Sequence, residues 1–339
     1  MVYQQDLDLH KPLNKDLPPN IRRTQLSPRL ALSALTLHGD LYRQLQSRCN
    51  ASIFWHPVTQ LFMQTVLGLT LLYQYSELWE ISDTWGEFAT LVWNNKYLVT
   101  SMFPSLIFVA GMVGLVSFLL TDELRTVSDR LAGDAYQSRL FKFPLKIFAN
   151  ANGKEYELNT TSDFMNNASE STELIEYRES PVAVVTVIPL PDESSRDVFY
   201  AKISGLHVRK SYAKAGLQND LLDIAIEKAK KLALRYIKDN NIKKKNIKTV
   251  LLCDAYTFDS INTPIIEQKG FEEKSRSTQL DPFAVDKKPE NFLYLIPDSL
   301  VKKFFGIYRN TYQLVIDGDE VSIATGSATT DSKARMRRT

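Results

Sequence analysis

Two uncharged stretches, Ile53 to Ser76 and Tyr97 to Thr121, dominate the pattern of apolar and polar positions in this 339-residue chain. The hydrocarbon core of a bilayer is about 30 Å thick and takes roughly 20 apolar helical residues to cross. Both stretches reach that length. The second, around MFPSLIFVAGMVGLVSFLL, is the more apolar; the first, HPVTQLFMQTVLGLTLLYQY, is diluted by Gln60, Gln64 and Thr65. The pattern predicts a transmembrane hairpin over 53–121, with spans at about 54–76 and 97–121 and a loop over 77–96.

Outside the hairpin the periods change. Residues 1 to about 28 are polar and dotted with Pro12, Pro18, Pro19 and Pro28, so a flexible arm is expected. Leu30, Leu32, Leu35, Leu37, Leu41 and Leu45 then suggest an amphipathic helix to about Asn50, completing an N-terminal region 1–52. Asp122 to Arg139 reads as a continuation of the second span, and the folded domain is expected to start near Phe141. Asn159 to Ser171 reads as a loop. PVAVVTVIPL, from Pro181, is a β-branched run bounded by prolines, hence a buried strand; Val198 to Val208 makes it a hairpin across the turn PDESSRD. Leu217, Leu221, Leu222, Ala225, Ala229, Leu232, Ala233 and Tyr236 repeat at helical spacing. IKTVLLCDAY predicts a third strand, Asp259 to Lys269 a short helix closed by Gly270, and Phe292 to Ile296 another strand. Tyr312 to Ile316 and Val321 to Ala324 suggest a terminal hairpin about Asp317-Gly318. The expected α/β domain spans 122–324 and a disordered basic tail 325–339.

Tryptophan and charge give the hairpin an orientation. Trp55 opens the first stretch, and Trp79, Trp85 and Trp93 lie in the joining segment; indole rings prefer the headgroup level. Seven Lys/Arg precede Ile53 (Lys11, Lys15, Arg22, Arg23, Arg29, Arg43, Arg48), and Arg125, Arg130, Arg139, Lys142 and Lys146 follow the second span. The joining segment has Lys96 alone against Glu77, Glu80, Asp83 and Glu87. Both ends are therefore expected in the cytosol, with the first span as its own insertion signal. Forty-one basic against 39 acidic residues gives no polycationic surface for nucleic acid. Cys49 and Cys253 make no disulfide framework and fit a reducing compartment. Cys49, beside the membrane, is a palmitoylation candidate or a structural thiol.

Candidate chemistry is thin. His10, His38, His56 and His207 are scattered and no cluster has metal-ligand spacing, so neither a metal nor a catalytic residue is assigned. His207, on a predicted strand, is a base or a structural residue. The lysine-rich run Lys228 to Lys248 is a patch for anionic lipid or an acidic partner, or a solvated helix face.

The order strand, strand, long helix, strand, helix, strand resembles the acyl-CoA-dependent N-acetyltransferase fold. The passages that carry the likeness are ISGLHV running into KSYAKAGLQNDLLDIAIEKA, and TVLLCDAY followed by IIEQKGFEE. The resemblance implies a glycine-rich turn whose backbone N–H groups meet the pyrophosphate of coenzyme A at a helix N-terminus. Only Gly216 of that turn is kept; Ala213 replaces an Arg or Gln, and Gln218 stands where a small residue is expected and would crowd the phosphates. Ile266 occupies the place of a tyrosine acid. Gly216 and Gln218 thus mark a vestigial acyl-CoA turn, with no cofactor expected.

Taken whole, the chain resembles a fungal family of endoplasmic-reticulum membrane proteins that assist the high-affinity inorganic phosphate permease. The likeness runs through DLPPNIRRTQLSPRLALSALTLHGDLYR, FWHP, the acidic tryptophan loop and the domain beyond. It implies a non-enzymatic accessory that helps the permease fold and enter transport vesicles, with membrane lipid and vesicle coat components as further partners. The alternatives are a membrane-tethered N-acyltransferase using acetyl-CoA, and a membrane-shaping hairpin.

Overall fold

The structure, a computed structural model, describes residues 20–150, 169–242, 247–284, 291–292 and 296–317. The chain divides into two compact units: an α/β unit drawn from Met1–Leu45, Leu124–Lys288 and Tyr308–Thr339, and a helical unit drawn from Gln46–Glu123 and Pro289–Ile307.

The α/β unit is built on a seven-stranded sheet. Its strands are β1 (Ile21–Gln25), β2 (Thr172–Tyr177), β3 (Ser180–Pro189), β4 (Val198–Val208), β5 (Lys248–Tyr256), β6 (Glu272–Ser277) and β9 (Arg309–Ile316), in the order β1-β2-β3-β4-β5-β9-β6. All neighbours are antiparallel except β4 and β5. A parallel pair needs a long crossover. Helix α7 (Leu217–Asp239) supplies it, and α8 (Asn262–Gln268) follows β5, ending before Gly270 at φ +83°.

Side-chain alternation sorts the two faces of the sheet. Val185 and Val187 of β3 and Phe199, Ala201 and Ile203 of β4 pack with Leu221, Leu222, Ala225 and Ala229 of α7. Thr186, between those two valines, instead bonds His38 of helix α1 (Ala31–Phe54) at 3.0 Å. The first half of α1 therefore covers the face opposite α7. Helix α5 (Asp134–Phe141), followed by the short α6 (Leu145–Asn150), joins it there, the Leu140 carbonyl accepting from Ser204 Oγ at 2.7 Å.

The helical unit holds the last turns of α1, then α2 (Pro57–Ile81), α3 (Trp85–Asn94), α4 (Lys96–Arg130) as far as Glu123, and α9 (Asp298–Phe304). His56 caps α2, its Nδ1 accepting from Val58 N–H at 3.4 Å. Thr121 donates to Asn50 at 2.9 Å, tying α4 to α1. Trp79 and Trp85 lie 4.6 Å apart, and each packs edge-on to Phe88. Lys302 is buried between Glu123 at 2.7 Å and Asp298 at 2.6 Å. Cys49 is buried and burial pushes its thiol up to about 12, so within this unit it is a packed, protonated side chain.

Several expectations change. Among the described residues one helix is long and apolar enough to cross a membrane, over Phe103–Arg130; 22% of its apolar window is buried in the protein, unlike a core helix. It runs nine residues past the predicted end at Thr121. Helix α2 is 25 residues long, with Gln60, Gln64, Thr65, Thr70 and Gln74 spaced along it, and does not meet that measure. The expected loop 77–96 is partly helical: α2 continues to Ile81, and Thr84 caps α3 by accepting from Glu87 N–H at 3.3 Å.

The expected flexible arm contains β1, which pairs with β2 from Ile21↔Tyr177 to Gln25↔Glu173, so region 1–52 contributes strand and helix to the α/β unit. Residues 1–19 of that arm lie outside the described residues. Helix α4 stops at Arg130, Gly133 opens α5, and α5 precedes the predicted domain start. Tyr312–Ile316 lies inside β9, which inserts between β5 and β6. The second strand of that expected hairpin, like the tail, is outside the described residues. The strand expected over 292–296 is a reversal: β7 (Asn291–Phe292) faces β8 (Ile296–Pro297) antiparallel.

Candidate functional site where the parallel strands part

The parallel ladder runs from Val198↔Lys248 to Ile203↔Cys253 and stops there, although both strands continue. Beyond it β4 stays with β3 (Gly205↔Thr186, Val208↔Ala183), and β5 stays with β9 (Asp254↔Thr311, Tyr256↔Arg309). An irregularity in the β3–β4 register at Thr186/Val187 turns β4 at this point. The result is a cleft in the middle of the sheet, lined by Ser204, Gly205 and Leu206 on one side and Cys253 to Tyr256 on the other.

Helix α1 fills it. Leu41, Tyr42 and Leu45 line the cleft, and Tyr42 and Leu45 are buried there. The remaining cavity is about 40 Å³, room for a water or two, whereas ligand pockets measure about 300–1,000 Å³. The helix comes this close because β4 has no side chain at Gly205. A Cβ there would stand 2.4 Å from the His38 ring atoms Cε1 and Nδ1.

The cleft's polar groups are held by one another. Lys202 pairs with Asp254 at 2.8 Å, and Thr311 donates to the same carboxylate at 2.8 Å. Asp259 accepts from the N–H groups of Ile261 and Asn262, both at 3.2 Å, at the start of α8. Tyr256 donates to the Leu280 carbonyl at 2.9 Å, and Arg309 to that of Asp281 at 2.8 Å. Burial raises the Tyr42 phenol well above its ordinary pKa, and Asp254 and Asp281 add to the rise. A phenol in that setting stays protonated and is a poor general acid.

The predicted residues are distributed as follows. Gly216 lies at the N-terminus of α7 with φ +78°, a left-handed conformation that favours glycine. Gln218 is buried, its amide N–H₂ donating to the Ala213 carbonyl at 2.9 Å and its Oε1 enclosed without a partner. It braces the turn from inside. Ile266 is buried in the core under the cleft. His207 is a buried strand residue with its Nε2 3.4 Å from Gln44 Nε2. Lys228, first of the basic run, is no surface residue. It pairs with Glu173 at 3.2 Å and donates to the Glu170 carbonyl at 2.5 Å, and burial, then Lys231 and Arg23, lower it to about 8. Residues 243–246 of that run lie outside the described residues.

No local pattern marks Tyr42 or Asp254. The Leu41-Tyr42…Leu45 spacing shows an apolar face but not what it covers. The acyl-CoA group of the likened fold does not fit these residues. The cleft is occupied by α1, and the first turn of α7 carries Asp220, a like charge for any pyrophosphate.

One buried group makes the packing of α1 sensitive to acid. Burial, then the neighbouring His207, lowers His38 from 6.5 to about 3. With Nδ1 unpartnered, the neutral ring places its proton on Nε2, toward Thr186. Below pH 6.5 the unfolded chain takes up this proton and the folded chain does not. Stability is therefore full above 6.5 and falls toward pH 3, by about 1.4 kcal/mol per pH unit from this group. Denaturation midpoints measured across that range should fall less steeply for His38→Asn.

These features define a class: an α/β sheet with a central parting closed by the chain's own helix, on a chain with a membrane-length apolar helix. The chain belongs to the Pho86 family of inorganic phosphate transporter chaperones, whose profile matches residues 3–316. No curated protein matches the chain. Similar solved structures include Arabidopsis thaliana Naa50 in complex with a bisubstrate analogue (12% identity, TM-score 0.28, 48% of this chain and 83% of that one). Others are a GNAT-family acetyltransferase from Streptococcus pneumoniae (16%, 0.29, 49% and 80%) and the ribosomal-protein-S18-alanine N-acetyltransferase of Escherichia coli (12%, 0.25, 46% and 76%). At such scores they say nothing about activity.

Proposed function

We propose that this protein is a non-enzymatic accessory of the endoplasmic-reticulum membrane, which assists folding of the high-affinity phosphate permease and its packaging into transport vesicles. Family membership over residues 3–316 carries the proposal. In it, α2 and α4 form a two-span hairpin with both ends cytosolic, a reading that the basic flanks and the acidic tryptophan loop favour. Leu61, Phe62, Leu69 and Leu72 of α2 and Phe103, Ile107, Phe108 and Met112 of α4 are exposed, which suits contact with lipid or a client's helices. The α/β unit, its cleft closed by α1, serves as a rigid platform for the client or for coat components.

The test follows a fluorescent phosphate permease in cells lacking this chain, beside an unrelated multi-span plasma-membrane protein. The permease alone is expected to stall in the endoplasmic reticulum. Normal surface arrival of both would sink the proposal.

A further inference from the structure

Helix α9 has two unlike sides. One buries Lys302 between Glu123 and Asp298. The other presents Leu300, 53% exposed, and Phe304, 58% exposed, four residues apart on one stripe with Lys303 exposed beside them. This apolar stripe does not stand alone. The His56 ring, which caps α2, lies 5.2 Å from Phe305 and 6.3 Å from Phe304. Trp55, 71% exposed, precedes it with its ring 5.1 Å from Phe54. Glu123, the carboxylate that holds Lys302, lies just past the apolar run of α4. The stripe therefore sits at the end of the helical unit where α2 begins and the apolar part of α4 finishes. A tryptophan, a capping histidine and an ion pair there mark the depth at which apolar helices meet water.

We propose that α9 is an interfacial foot. It lies in the headgroup layer of the leaflet from which the hairpin emerges, with Leu300 and Phe304 reaching the acyl boundary and Lys303 directed to lipid phosphate. The occupant of its exposed face is phospholipid. The Lys302–Glu123 pair fixes the foot to the end of α4 and so sets its depth. This rests on the two-span arrangement proposed above.

The experiment uses the full chain with Leu300→Cys, labelled with an environment-sensitive nitrobenzoxadiazole dye. The chain is reconstituted in phosphatidylcholine–phosphatidylserine vesicles containing shallow- or deep-doxyl lipid. Cys49 and Cys253 are buried and label poorly. Shallow-doxyl lipid is expected to quench the dye at least twofold more than deep-doxyl lipid, with iodide in the buffer having little effect. Phe304→Cys should behave alike, so one misfolded variant does not decide the matter. Iodide quenching comparable to that of free dye would overturn the proposal. Shielding from both quenchers would also overturn it, since protein would then cover the face. Labels at Leu69 and Phe108, exposed on α2 and α4, report the two-span arrangement separately through deep-doxyl quenching. Loss of that signal at Leu69 with shallow quenching kept at Leu300 would remove the hairpin and leave the foot in place.

Discussion

Tyr42→Ala is expected to destabilise the α/β unit by about 3–5 kcal/mol, the range for removing a large buried ring. Tyr42 is buried in the parting of β4 and β5, and its ring meets Phe283 at 6.3 Å. Neighbours anchored in strands can collapse only partly into the space left behind. Hydrogen exchange in β4 and β5 should rise accordingly, while exchange in α2 and α4 changes little. Opening the cleft should not create a coenzyme site, because the turn at Gly216 is still braced by Gln218 and still faces Asp220. Titration calorimetry with acetyl-CoA is expected to give no heat for the wild-type chain or for Tyr42→Ala. Saturable heat from either would return the acyltransferase alternative to consideration.

Lys302→Met is expected to cost about 3–5 kcal/mol locally, the usual result of removing one partner from a buried ion pair. The ammonium lies between Glu123 and Asp298, and its loss leaves two part-buried carboxylates facing each other. Burial opposes the charge on Lys302, but Glu123 and Asp298 outweigh it and hold the pKa above its ordinary value. The sign follows: the contribution is complete at neutral pH and is lost only as alkaline pH rises through that raised value. Limited proteolysis should cut the 289–307 segment of the variant readily in detergent. Adding Glu123→Gln and Asp298→Asn should restore most of the protection, since the triple change leaves no unpaired charge. Equal protection of wild type and Lys302→Met would show that the ion pair does not hold this segment.

Strong periodicity made part of the fold legible. Strands β3, β4 and β5 and helix α7 lie close to where β-branched runs and helical leucine and alanine spacing place them. Strands β1 and β6 escaped because edge strands hide their pattern: IRRTQ and EEKSRS are almost wholly exposed and rich in polar and charged side chains, as unpaired edges tend to be. Helix α1 was legible as amphipathic, but the surface it covers lies more than 150 residues away in sequence, at Gly205 and Asp254. For the same reason the turn at Gly216 could be found and the filled cleft could not. A local motif shows that a phosphate-binding turn is incomplete. Only the fold shows that the neighbouring space is already taken.

On the proposed reading this chain acts on a client rather than on a small substrate. That reading is tested most directly by synthesising the phosphate permease into endoplasmic-reticulum membranes with and without this protein. The fraction extracted as a monodisperse species in mild detergent is then measured. The permease is expected to aggregate without the protein and to be recovered monodisperse with it, in the absence of acetyl-CoA. Equal recovery in both membranes, or rescue only when acetyl-CoA is supplied, would contradict it.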